Sequence, residues 1–147
     1  MFGADSQMTK EEAGRINPVV LAFVGDAVYG LFVREKLVRK SEAKAAEYQS
    51  CAAKVLSASV QSEIVEKLLA AFTEEETEIY HRGRNAKKAT KSKHASVGEY
   101  NRSTGLEAVI GYLYLAGDTE RICSLLSLVD EDYFTVKKQA QPYKGQR

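Results

Sequence analysis

The sequence predicts an all-α fold, and three observations lead to that prediction. Proline, which disrupts helix interiors, occurs only twice, at Pro18 and Pro142. Long stretches are rich in alanine, leucine, glutamate and lysine, which have high helix propensity. Residues that cap helix N-termini recur along the chain. No linker or low-complexity segment interrupts the sequence, so residues 1–147 are expected to form one domain with a core spanning about residues 10–135.

The first half of the chain predicts three or four helices. Thr9-Lys10-Glu11-Glu12 has the form of a capping box and opens a short first helix. Asn17 followed by Pro18 repeats the start signal, and the second helix runs to about Arg39. Between about Glu42 and Phe72 apolar residues recur at steps of three to five, which predicts either one long helix or two.

The second half predicts three more helices and a loop. Thr73-Glu74-Glu75-Glu76 is a further capping box, and it opens a short helix. Residues 81–100 have no apolar periodicity, so we expect a loop there. From Arg102 to Ala116 the pattern is again that of an apolar helix, and Asp118 caps a last helix through Leu128.

The two cysteines, Cys51 and Cys123, predict buried, reduced thiols. They lie far apart in helical segments and form no Cys-x-x-Cys motif. His81 and His94 are the only histidines, and their spacing from the cysteines does not suggest zinc ligation. Reduced thiols are typical of a cytoplasmic protein.

Neither export nor membrane insertion is expected. The N-terminus, Met1 to Lys10, has no apolar segment of the kind that a secretory signal needs. The longest apolar stretch, Pro18 to Val33, is interrupted by Asp26 and is shorter than the ~20 residues that span a bilayer. We therefore expect a cytoplasmic protein without a membrane partner.

Two acidic residues occupy unusual positions, each alone inside a helix that is apolar on nearly every face. Both helices, and the acids with them, are therefore expected to be enclosed at the centre of the fold. Asp26 lies within Val19–Val33, and Glu107 lies within Leu106–Leu115. Each is followed by an alanine and, one helical turn later, by a glycine. Small residues allow two helix backbones to approach closely, so a crossing there would bring both carboxylates together. A hard cation such as Mg²⁺ would offset their repulsion. The alternative is that each acid forms a buried salt bridge or caps a neighbouring helix.

A second candidate feature is a basic segment without acids between His81 and Gly98. The net charge of the whole chain is only +1, so a nucleic-acid site depends on how the charge is distributed. Cations mixed with small hydrogen-bonding side chains suit a phosphate backbone, and no row of aromatic residues suggests a single-strand site. The alternative is a solvated surface loop. The candidate RNA contacts are Arg82, Arg84, Asn85, Lys87, Lys88, Lys91 and Lys93, with Tyr100 and Arg102 bordering the site.

At this point the residues resemble a known family. Phe23-Val24-Gly25-Asp26-Ala27-Val28 is similar to the signature helix of the ribonuclease III superfamily, and Glu107-Ala108 followed by Ile110-Gly111 resembles its second acidic motif. The stretch Arg82–Lys87, followed by Tyr100 and by Ser103-Thr104 before Leu106, resembles the catalytic-domain-only Mini-ribonuclease III group. No double-stranded-RNA-binding domain is expected after this catalytic domain.

The resemblance implies a ribonuclease III endonuclease-domain-like helical bundle, a homodimer and Mg²⁺-dependent hydrolysis of double-stranded RNA. It implies precursor large-subunit (23S) ribosomal RNA as substrate, products with 5′ phosphates, and leaves open a ribosomal protein as helper. The apolar excess on Pro18–Val33 agrees with a homodimer.

Carried over by position, Asp26 and Glu107 match two catalytic, metal-binding acids. Standard ribonuclease III has two further acids, and the corresponding residues of this chain are Ala22 and Thr104. The sequence therefore does not establish how many metal ions each site would hold. Thr104 is a candidate for a hydrogen bond to metal-held water or for an ordinary role at the helix start.

Three other functions remain to be distinguished. A catalytically inactive relative that binds ribosomal RNA would bind duplexes without cleaving them, and the two missing acids favour it. An all-α nucleotide phosphohydrolase would prefer free nucleotides and would not need the basic segment. A helical protein-interaction adaptor would use Asp26 and Glu107 only for structure, so their amides would leave any RNA activity unchanged.

Overall fold

The computed structural model describes residues 7–88 and 95–138, and within those ranges the protein is helical and contains no strand. The prediction of an all-α fold is therefore confirmed. The helices are α1 (Lys10–Gly14), α2 (Pro18–Lys40), α3 (Ala45–Val55), α4 (Ala58–Leu68), α5 (Glu74–Asn85), α6 (Val97–Leu115) and α7 (Thr119–Leu126), with short 3₁₀ helices at Leu69–Ala71 and Glu131–Phe134.

Side-chain caps start the helices at the predicted positions. In each case a side-chain oxygen accepts a hydrogen bond from a backbone N–H in the first turn, which satisfies a donor that has no partner within the helix. These caps are Thr9, Asn17, Thr73 and Asp118. The segment that predicted one helix or two is divided into α3 and α4, because Ser57 caps a new helix by accepting from the Val60 N–H at 3.3 Å.

The predicted loop at residues 81–100 is wrong at both of its ends. Helix α5 continues to Asn85, and α6 begins at Val97 after a Ser96 and Glu99 capping box. The polar last turn of α5 has no apolar periodicity of its own. It is held by tertiary packing, because Gly83 lies against α6, where an added Cβ would be 3.0 Å from the Gly105 Cα. Tertiary contact thus overrides the weak local pattern.

Helix α6 is the centre of the core. It packs against α2, α4 and α5, and less extensively against α1 and α7. Its buried residues extend around the helix and include Leu106, Val109 and Leu113. Helix α2 contributes a single buried face, represented by Leu21 and Tyr29. Glu107 therefore lies on the most enclosed helix of the described structure.

A buried ion pair joins α5 to α7. The Glu76 side chain is only 4% exposed, and both of its carboxylate oxygens accept hydrogen bonds from Arg121 at 2.9 Å. Arg121 also donates to the Ala71 carbonyl at 2.6 Å. Burial would raise the pKa of Glu76, but the hydrogen bonds from Arg121 and from the Thr73 backbone lower it below its ordinary value.

Two details of burial differ from the prediction. Cys123 is exposed and Cys51 is half-buried, so the prediction of two buried thiols is wrong. Helix α2 is not enclosed on every side, because Phe23 is 79% exposed and Val20 and Leu31 are also exposed. Among the described residues, no helix combines the length and the apolar character needed to span a membrane.

Candidate active site

Helices α2 and α6 cross with their backbones in direct contact. A Cβ added at Gly25 would lie 1.7 Å from the carbonyl oxygen of Glu107, and one added at Gly111 would lie 1.9 Å from the carbonyl oxygen of Leu21. Any side chain at either position would force the helices apart. Close approach at small residues was predicted, but the position in α2 is Gly25, directly before the acid, and not Gly30 one turn later.

This crossing brings Asp26 and Glu107 together. The two carboxyl groups lie close enough for Asp26 to raise the pKa of Glu107, although Asp26 lies 81 positions before Glu107 in the sequence. Asp26 is exposed, contrary to the expectation of an enclosed acid, whereas Glu107 is half-buried. Burial, followed by the hydrogen bond to Asp26 and its charge, raises the pKa of Glu107 to about 9. The pair is therefore open to solvent on the Asp26 side and shielded on the Glu107 side.

Such a pair is suited to hold a hard divalent cation. Two nearby carboxylates repel when both are ionised, and a cation between them removes that repulsion. Mg²⁺ prefers oxygen ligands and commonly binds through one or two carboxylates, with water and phosphate completing its six positions. Within the described residues no cluster of three or more histidine, cysteine, aspartate or glutamate side chains could hold a metal. The protein oxygens available here thus fit a cation that keeps several other ligands.

The two positions that lack acids serve the helix packing. Ala22 belongs to the buried face of α2. Thr104 is buried in α6, and its hydroxyl donates to the Tyr100 carbonyl at 2.9 Å. The Thr104 hydroxyl oxygen can still accept a hydrogen bond, so a contact with metal-held water stays a prediction.

The structure separates the basic residues into two groups. Arg82 donates to the Gly14 carbonyl at 2.6 Å and to the Ile16 carbonyl at 3.2 Å, so it links α5 to the end of α1. Lys88 donates to the carbonyls of Arg84 and Ala86, and burial lowers its pKa. Arg82 and Lys88 therefore already bind main-chain oxygens.

The other predicted RNA-binding residues that the structure describes make fewer hydrogen bonds to main-chain oxygens. Arg84 lies over the ring of Tyr80, 5.7 Å from its centroid, and donates to Asn85. Asn85 and Lys87 are exposed. Lys91 and Lys93 lie outside the described residues.

At the start of α6, Arg102 donates to the Ser62 hydroxyl at 2.6 Å and pairs with Glu66 at 3.7 Å. Half-buried Tyr100 accepts through its carbonyl from Ser103 and Thr104. These contacts attach the start of α6 to α4.

Gln61 is a site residue that the sequence reasoning missed. It lies near enough to Glu107 to lower the pKa of that carboxyl, which partly offsets the rise caused by burial and Asp26, and its Nε2 donates to the Leu56 carbonyl at 3.0 Å. A signal was present in the sequence, because Gln61 shares its helical face with the core residues Ile64, Val65 and Leu68. A lone amide at a core position indicates a specific polar partner.

Comparisons with known proteins identify the family of this chain. The family described as Ribonuclease III domain matches residues 19–118. Mini-ribonuclease 3 of Thermoanaerobacter sp. is 41% identical over 121 residues, which is 82% of this chain and 85% of the relative. Mini-ribonuclease 3 of Streptococcus pneumoniae is 44% identical over 114 residues, which is 76% of this chain and 89% of the relative.

A solved structure extends the likeness to three dimensions. A crystal structure of a Fusobacterium nucleatum protein superposes with a TM-score of 0.69 at 28% sequence identity. The match covers 78% of this chain and 91% of that chain. The helical arrangement described above is therefore shared with an experimentally determined fold.

Proposed function

Because this chain belongs to the ribonuclease III family, among its Mini-ribonuclease 3 members, it is an endoribonuclease of double-stranded RNA, and we propose that it cleaves with Mg²⁺ held by Asp26 and Glu107. The observation that carries this proposal is the convergence of the two carboxylates at the α2–α6 crossing. Burial and mutual repulsion disfavour two ionised acids there unless a cation compensates them.

In this proposal Asp26 and Glu107 have different roles in holding the cation. Asp26, which is exposed, faces the incoming RNA, and Glu107 holds the cation from the enclosed side. Mg²⁺, when bound, supplies positive charge that offsets charge developing on the phosphate and assists ionisation of the attacking water. The bond between phosphorus and the 3′ oxygen breaks, so the products carry 5′ phosphates.

The RNA surface that we propose extends from the end of α5 towards the start of α6. Exposed Asn85 and Lys87 are the strongest described candidates, and Arg84 adds charge beside them. Cationic and amide side chains contact phosphate and sugar without reading sequence, which suits a duplex recognised by shape. Arg82 and Lys88 would support this surface mainly through the backbone that they hold.

We propose precursor large-subunit ribosomal RNA as the substrate and the cytoplasm as the location, following the family resemblance. On the same basis, residues 1–147 would form a single catalytic domain. A ribosomal protein that shapes the precursor would then change the cleavage of the ribosomal substrate but not of a generic duplex.

We further propose that the protein is a homodimer that uses the exposed face of α2. Phe23 and Leu31 lie beside a groove that is completed by Tyr114, Ile122 and Cys123. An exposed apolar face of this kind commonly marks an interface. A second copy fits because the family resemblance implies a homodimer, and a twofold contact needs only one self-complementary surface.

The experiment for the catalytic proposal is cleavage of a long RNA duplex with Mg²⁺ or with a chelator. The Asp26→Asn variant should lose at least about 100-fold in rate, equivalent to about 2.7 kcal/mol of transition-state stabilisation. Asp132→Asn, which alters an exposed acid elsewhere, is the matched control. Duplex binding should persist in both variants. Tight binding without cleavage by the unaltered protein under any divalent metal would favour the inactive RNA-binding alternative.

A further inference from the structure

A cleft of about 350 Å³ lies between α1, α5 and α6, beside the first turns of α5. Its lining includes the apolar side chains of Ile79 and Leu113 and the ring of Tyr112, and each of these residues is no more than 4% exposed. This volume lies at the small end of the range for ligand sites. The cleft therefore suits a single long side chain better than a large ligand.

The cationic side chains of the cleft already have partners within the protein. Lys10 pairs with Asp118 at 3.3 Å. Arg82 donates to the main-chain carbonyls of Gly14 and Ile16. Neither cation is therefore free to neutralise the acids that line the same cleft.

Three carboxylates of the cleft have no such partner. Glu11 on α1 and Glu75 and Glu78 on α5 are exposed and form no ion pair with the described residues. Even with the charge of Arg82 counted, negative charge predominates. Acids in a first turn stabilise their helix through its dipole, which accounts for Glu11 and Glu75. Glu78 lies in the second turn of α5, where this benefit has faded.

Tyr112 is a second and independent indication of a ligand. Its residue is 4% exposed and lines the cleft, and its hydroxyl makes no hydrogen bond to the described residues. Burial raises the pKa of this hydroxyl, so it stays protonated at neutral pH and can both donate and accept. Phenylalanine would fill the same space without the cost of an unpaired polar group. A ligand in the cleft would supply the missing partner.

The chemistry of the lining favours an organic cation over a metal ion. Within the described residues, no three acidic or other ligating side chains are grouped so that they could hold a metal. A guanidinium group carries several N–H donors in a plane and can reach acceptors that lie apart. Its alkyl stem would pack against Ile79 and Leu113. An arginine side chain thus fits both the polar and the apolar parts of the cleft.

We propose that this cleft is a docking site for an arginine-bearing segment of a basic protein, with the guanidinium group held by Tyr112, Glu75 and Glu78. This proposal goes beyond the ribonuclease activity and does not depend on the Mg²⁺ site. Glu75 and Asn85 lie about 15 Å apart along α5. A partner in the cleft would therefore leave the proposed RNA surface accessible.

The test measures binding of a fluorescently labelled arginine–glycine repeat peptide to the RNA-free protein by fluorescence anisotropy at a fixed salt concentration. Tyr112→Phe removes the hydroxyl and keeps the ring, and it should raise the Kd about 10-fold. Glu78→Gln removes one charge of the cleft and should raise the Kd about 3-fold. Glu74→Gln is the matched control, because Glu74 is an exposed acid of the same helix that does not line the cleft, and its Kd should equal that of the wild type.

Two further comparisons locate the peptide. The same peptide with citrulline, the neutral analogue of arginine, should bind at least about 10-fold more weakly, because hydrogen bonds to charged groups are the stronger ones. Asp26→Asn should bind the arginine peptide as the wild type does. A loss of binding in Asp26→Asn would place the peptide at the acidic pair and overturn the proposal.

Other results would also overturn it. These are a Kd weaker than about 1 mM for the wild type, or an unchanged Kd in folded Tyr112→Phe. Equal weakening by Glu78→Gln and Glu74→Gln would show that overall charge, and not the cleft, holds the peptide. This pair of variants decides alone if Tyr112→Phe fails to fold. A changed light-scattering mass in Tyr112→Phe would instead assign the cleft to a second copy of this chain.

Discussion

Replacing Glu107 by glutamine should stabilise the metal-free protein while abolishing its activity. The fold raises the pKa of Glu107 from an ordinary 4.5 to about 9. Between these two values the folded protein binds more protons than the unfolded chain, so this group makes stability fall as pH rises. Glutamine is neutral at every pH and can donate to Asp26 as the protonated acid does, so the variant lacks this loss.

The magnitude follows from proton linkage. Each pH unit in this window changes the unfolding free energy by about 1.4 kcal/mol, so the wild type should lose about 3 kcal/mol relative to Glu107→Gln between pH 5 and pH 7. For a chain of this size, that corresponds to a difference of about 6–12 °C in melting temperature. Titrating groups that do not interact with Glu107 change both proteins equally, so the difference between the two curves reports on Glu107 together with the groups coupled to it.

Thermal melting followed by circular dichroism, with a chelator present, measures this difference from pH 5 to pH 8. Glu78→Gln, an exposed acid of α5, is the matched control and should follow the wild type throughout. Added Mg²⁺ should raise the melting temperature of the wild type at pH 8 but not that of Glu107→Gln. A stability difference that does not change with pH would refute the argument that burial and Asp26 disfavour the charged form of Glu107.

Three further perturbations test the packing and the assembly. Gly25→Ala places a Cβ within 1.7 Å of backbone and should lower the unfolding free energy in urea by about 3 kcal/mol or more, whereas Gly98→Ala, which meets only the flexible end of an arginine, should be nearly neutral. Arg121→Met leaves Glu76 buried and unpaired and should cost about 3 kcal/mol at neutral pH. The loss of unfolding free energy should become smaller on acidification. The lowered pKa of Glu76 stabilises the wild type fully only above the pH at which the unfolded carboxyl titrates, and this stabilisation is lost as Glu76 is protonated. An equal loss of unfolding free energy at pH 4 would contradict this reasoning. Phe23→Arg should halve the mass measured by light scattering, and an unchanged mass would exclude this face as the dimer interface.

Local chemistry made much of the fold predictable. The caps at Thr9, Asn17, Thr73 and Asp118 start helices in the structure because their hydrogen bonds join residues two or three apart. Local sequence patterns gave a wrong prediction at residues 81–100, where a loop was expected. There the end of α5 is polar, and contact with α6 at Gly83 stabilises it more than its own pattern does.

At the acidic pair, the sequence predicted the helix crossing but not the burial of each acid. Two lone acids beside small residues predicted a crossing of two helices, and that crossing is confirmed. The exposure of Asp26 and the enclosure of Glu107 were not predictable, because burial depends on which helices cover each face. The same holds for the proximity of Gln61 to Glu107, which lies 46 positions further along the chain.

The helical class, most helix starts, the family and the two candidate acids could be predicted from the amino-acid sequence alone, since each depends on short-range patterns of residue type. The partners of the charged and polar side chains could be identified only once the packing of the helices was known. Arg82 donates to the Gly14 carbonyl at the end of α1, and Gln61 donates to the Leu56 carbonyl. Periodicity specifies which face of a helix is buried, but a hydrogen bond needs two atoms within about 3 Å, and the packing of distant helices sets that distance.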